Sequence, residues 1–128
     1  MKALLIVTAF FEGVTGLGLL LVPNVVVTVL LGVQVDTPVG FIAARLAGAA
    51  ILSLAIACWQ ARNSERGGAA TGIVAGMLFY NVAAALILVY AGMRLELRSE
   101  FLWPAIVVHL VLALWCGLVV WKYFQKTV

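Results

Sequence analysis

Four separate runs of about twenty mostly apolar residues leave this chain little choice of fold. They extend from Ala3 to Val22, from Pro38 to Trp59, from Ala69 to Met93 and from Phe101 to Trp121. A helix of about 20 such residues crosses the ~30 Å hydrocarbon core of a bilayer. Composition closes the other routes. The chain is 66% hydrophobic and 10% charged, whereas a soluble domain carries roughly 45–50% apolar and about 25% charged residues. Low charge is the reverse of a disordered composition, and two cysteines are too few for a disulfide scaffold. The expected fold is therefore an all-α integral membrane protein, a four-helix antiparallel transmembrane bundle forming one domain over residues 1–128.

The connections agree with four crossings. Residues 60–68 and 94–100 are polar, charged or helix-breaking and short, which makes sequential helices antiparallel neighbours. Trp59, Tyr90, Trp103, Trp121 and Tyr123 fall at the expected span ends, where amphipathic rings prefer the headgroup level. Trp115 lies deeper and is assigned to packing. The segment between Pro23 and Pro38 differs: it is too apolar for a solvated loop and too short to span. A short interfacial or re-entrant helix is the favoured reading, with Asn24 as its N-cap and Gly32 as its terminator. The Val33-Gln34-Val35-Asp36 alternation also permits an extended segment.

Orientation follows from the basic residues. With the amino terminus inside, Lys2, Arg62, Arg66, Lys122 and Lys126 are cytoplasmic and only Arg94 and Arg98 are outside. That is the positive-inside pattern, with both termini cytoplasmic. The net charge of +3 suits an anionic cytoplasmic leaflet and requires no nucleic-acid partner. Lys2 and the apolar run after it resemble a signal peptide, but Glu12 interrupts the run and no small-residue cleavage site follows, so the span is read as retained.

Of eight basic and five acidic residues, only Glu12 and Arg45 lie within spans. At a helix centre such a residue costs about 2.5–3.5 kcal/mol on insertion scales, so it turns toward the bundle interior and finds a partner. Asn81 in the third span and His109, the single histidine, in the fourth belong with them. Counted from the outer span ends at ~1.5 Å per residue, all four fall within about 10–15 Å of the outer boundary. The expectation is one buried polar layer in which Glu12 pairs with Arg45 while Asn81 and His109 complete the hydrogen bonding. Small residues that let helices approach closely accompany it: Gly13 and Gly16, Gly48, the Gly72–Gly76 pair, and Ala113 with Gly117. Two readings remain open. The layer fixes helix register, or it lines a small pocket opening outward beneath the Pro23–Pro38 segment.

Familiar catalytic signatures are missing. There is no phosphate-binding glycine loop, no H-E-x-x-H and no nucleophile elbow, so no catalytic residue is assigned and the chain is not read as an enzyme. Cys58 and Cys116 lie at different expected depths and read as small buried apolar residues, with no metal site. One histidine cannot supply bis-histidine haem ligation within one chain, so haem is not expected. A quinone or a lipid remains a ligand the polar layer could take.

The Phe11-Glu12-Gly13 run, the Leu21-Val22-Pro23 helix end, Leu30-Leu31-Gly32 and Ala44-Arg45-Leu46-Ala47-Gly48-Ala49 resemble the small four-helix bacterial proteins of the DoxX-like group, mainly over residues 10–60. The resemblance implies a multi-pass bacterial inner-membrane protein, in some cases an accessory subunit linked to quinone or redox complexes. It carries across only Arg45, as a structural or binding residue. Three functions follow as expectations: an accessory or assembly subunit, working with other membrane subunits or as a homo-oligomer; a small proton-coupled transporter using Glu12; or a quinone- or lipid-binding membrane protein.

Overall fold

The computed structural model describes residues 1–64 and 68–127, the last two by backbone alone. Arg66 and the Lys126 side chain, both part of the charge bias, lie outside the described residues. Among the described residues five helices follow in order: α1 (Lys2–Leu21), α2 (Pro23–Leu31), α3 (Pro38–Ala61), α4 (Gly68–Arg94) and α5 (Leu102–Thr127). α1, α3, α4 and α5 are long and apolar enough to cross a membrane, which makes this a multi-pass membrane protein. α5 runs beyond the expected end at Trp121, because the residues after it contain neither glycine nor proline to stop a helix.

The helices associate as two pairs, α1 with α3 and α4 with α5. Small residues set the first. A Cβ on Gly16 would lie 2.6 Å from the Leu52 nitrogen and 2.9 Å from the Gly48 oxygen, and one on Gly48 would lie 2.7 Å from the Leu20 nitrogen. The two backbones therefore touch where both lack side chains, and Gly13 faces Ala55 further along. In the second pair, Gly92 meets Leu102 and Trp103, Gly117 reaches Leu78, and Ala113 is buried. A shared core joins the pairs at one end: Leu4, Leu5 and Ala9 of α1, Cys58 and Ala61 of α3, Ala70, Val74 and Met77 of α4, and Leu112 and Cys116 of α5. Cys58 and Cys116 thus occupy one cluster as free thiols, rather than separate depths.

Two packing assignments change. Gly72 and Gly76 were expected at a helix interface, yet an added Cβ on either would meet no described residue within 4 Å. Both lie on the exposed face of α4, opposite the buried row of Ala70, Val74, Met77 and Asn81. Trp115 is likewise on an exposed face of α5 rather than inside it.

At the far end from the shared core, α2 begins immediately after α1. Pro23 occupies its first turn, where the missing N–H costs no hydrogen bond, and Gly32 ends it in the left-handed region at φ 75°. Asn24 does not cap the helix. Pro23 pushes it inside the first turn, and its Oδ1 instead accepts from the Val35 nitrogen at 2.7 Å, pinning the return strand of chain that leads to α3. The other end of α2 is tied to the α4–α5 connection: the Ser99 hydroxyl donates to the Val29 carbonyl, and Gly32 sits against the Arg98 carbonyl. α2 therefore reaches from the end of α1 to the start of α5.

Candidate functional site

Beneath α2 lies a cavity of about 460 Å³, within the 300–1,000 Å³ range typical of ligand pockets. Each neighbouring helix supplies part of its wall. Phe11, Val14 and Thr15 come from α1, Val25, Val26, Val29 and Leu30 from α2, and Pro104, Ala105, Val108 and Leu112 from α5, with Phe101 just ahead of it. The wall is apolar, and because Phe11, Val14, Val25, Val29 and Phe101 are themselves exposed, the cavity is open along one side. Its polar groups are few and gathered together: Glu12, Tyr80 and His109, with the Thr15 hydroxyl one turn from Glu12.

These polar groups form a chain across three helices. Glu12 is 3% exposed, and its side-chain hydrogen-bond partner is Tyr80 of α4. The Tyr80 ring meets the His109 imidazole edge-on, with centroids 5.8 Å apart. His109 Nδ1 lies 2.9 Å from Asn81 Oδ1, and Asn81 Nδ2 donates to the Met77 carbonyl at 2.7 Å. Asn81 is fully buried, so both ends of its amide are satisfied where an unmade hydrogen bond would cost about 1–3 kcal/mol. Successive residues of α4 play different parts: Tyr80 turns to the cavity while Asn81 holds the histidine from behind. One turn from Glu12 toward the amino end, the buried Thr8 hydroxyl has no hydrogen-bond partner among the described residues.

Arg45 is not part of this group, which corrects the expected Glu12–Arg45 pair. It is exposed, and it forms no ion pair with Glu12 among the described residues. Register is the cause. Leu20 of α1 is level with Gly48 of α3, and Gly13 faces Ala55. Arg45 consequently lies past the end of α1, about 16 Å along the axis from Glu12 at ~1.5 Å per residue. Counting depth from each helix end had treated α1 and α3 as flush, whereas α3 starts well beyond α1. Glu12, Asn81 and His109 do come together, through Tyr80. That tyrosine reads as an ordinary aromatic in the sequence; the signal available was its position beside Asn81, at the depth already assigned to the polar layer.

Among the described residues no group of three His, Cys, Asp or Glu side chains is placed to hold a metal ion. What the arrangement can do is bind. An apolar wall excludes water and accepts a hydrocarbon body, while the carboxylate, phenol and imidazole at one end offer directional hydrogen bonds to a small polar head. Comparison of the chain with protein-family models, with characterised proteins and with solved structures returned no match.

Proposed function

We propose that this chain is a non-catalytic protein of the bacterial inner membrane that holds an apolar molecule with a small polar head in the cavity beneath α2. The observation that carries this reading is the division of the cavity into a long apolar wall and one polar end made by Glu12, Tyr80 and His109. In this reading the spans form an antiparallel bundle with both termini cytoplasmic, and α2 lies at the outer interface as a cover. An accessory role beside other membrane subunits rests on the DoxX-like resemblance of residues 10–60.

Native mass spectrometry of protein taken from its own membranes into nanodiscs tests the reading. The wild type is expected to carry a discrete apolar species. Ala105→Phe, which places a ring into the cavity from α5, is expected to lose it while remaining folded. A bare wild type, or the same species retained by both, contradicts the proposal.

Proton-coupled transport through Glu12 is the second reading, and one observation favours it: with Arg45 distant, no cation among the described residues pairs with Glu12. It predicts ligand-dependent proton flux in proteoliposomes that Glu12→Gln abolishes. A holding protein gives no flux in either form.

A further inference from the structure

We infer that the molecule held in this cavity carries a hydroxyl head, and that His109 accepts its hydrogen through Nε2. This rests on the cavity reading above and names the chemistry of its ligand.

The hydrogen-bond chain behind His109 decides the matter. Asn81 donates from Nδ2 to the Met77 carbonyl at 2.7 Å. A backbone carbonyl only accepts, so the amide can stand only one way round, with Oδ1 toward the imidazole. That oxygen also only accepts, and it lies 2.9 Å from Nδ1 of His109. Nδ1 must therefore carry the proton. A neutral imidazole has a single N–H, which leaves Nε2 as a lone pair. With Nδ1 turned back toward α4, the edge of the ring bearing Nε2 is the one left to the cavity that His109 lines.

Glu12 is hydrogen-bonded to Tyr80 at the same end of the cavity and keeps further lone pairs. A ketone, ester or ether head offers Nε2 no hydrogen and leaves it unpaired away from water. A hydroxyl supplies the missing donor and, being neutral, brings no net charge into an apolar cavity. Asn81, which touches no ligand, acts as a positioning residue by fixing the tautomer.

Because the chain has one histidine, 15N-histidine labelling reports this imidazole alone. In nanodiscs, at a pH where the ring is neutral, the protonated nitrogen is expected to be Nδ1 and the unprotonated one Nε2. Adding 4-nonylphenol is expected to shift the Nε2 resonance as a hydrogen bond forms, and its methyl ether, 4-nonylanisole, is expected to leave it unmoved. After subtraction of partition into empty nanodiscs, the phenol should bind about tenfold more tightly than the ether, equivalent to about 1.4 kcal/mol. His109→Phe should bind both equally. A proton on Nε2, or equal affinity of the wild type for the two probes, overturns the inference and leaves the cavity reading standing. Binding of neither probe overturns both.

Discussion

Gly48→Leu is expected to abolish the folded, monodisperse protein, whereas Gly72→Leu leaves it intact. The contrast arises from what each glycine faces. A single carbon added at Gly48 would lie 2.7 Å from the Leu20 nitrogen, 2.8 Å from the Gly16 oxygen and 2.9 Å from the Leu19 Cβ. Two of those three atoms are backbone and cannot rotate away, so α1 and α3 must separate. Even Gly48→Ala should cost about 1–3 kcal/mol, the usual range for overpacking, and the leucine more. Separating α1 from α3 also carries Glu12 and the start of α2 away from their partners, which couples this packing to the cavity. At Gly72 an added carbon meets no described residue within 4 Å. Gly72→Ala should be neutral or stabilising by up to about 1 kcal/mol, through helix propensity alone. Unfolding of the purified variants in detergent measures both, and equal losses at the two positions would refute the packing described.

Glu12 should be energetically coupled to Tyr80 and uncoupled from Arg45. Tyr80→Phe removes the hydroxyl that bonds a carboxylate only 3% exposed. A buried group left unpaired costs about 1–3 kcal/mol, more when charged. Combining Tyr80→Phe with Glu12→Gln should then cost less than the separate losses added together, with an interaction energy of about 0.5–3 kcal/mol. Arg45→Leu acts at an exposed site about 16 Å along the axis from Glu12. Alone it should change stability by no more than about 0.5 kcal/mol, and together with Glu12→Gln the effects should add. Coupling of Glu12 to Arg45 instead would restore the ion pair and remove the basis for a chain running through Tyr80.

The span positions were legible in the sequence because hydropathy over twenty residues is a strong signal. Pro23 and Gly32 punctuate the short helix, and Pro38 opens α3, for steric reasons that hold in any fold. Glu12, Asn81 and His109 were also identifiable, because buried polar groups are rare in apolar helices and need one another. What hydropathy cannot carry is how far one helix slides along another. Arg45 is seven residues into α3 and Glu12 nine from the end of α1, yet α3 begins beyond α1 and the two never meet. The packing motif misled for a related reason. The Gly72–Gly76 pair lies against nothing in the described chain, while the close contact is made by Gly16 and Gly48 on different helices. Spacing within one helix says that a smooth face exists; only the partner's position says whether it is used. Tyr80 was hidden because a tyrosine in a membrane helix reads as apolar surface, although here its hydroxyl joins α1 to α4.

The central claim is that the space beneath α2 belongs to a particular molecule and is not filled by passing lipid. Photo-crosslinking in native membranes addresses it directly, with a photoreactive residue placed at Val29 on the cavity wall or at Phe79, 77% exposed on α4. The account predicts one discrete small-molecule adduct at Val29 and a spread of phospholipid adducts at Phe79. The same spread of phospholipids at both positions would contradict it.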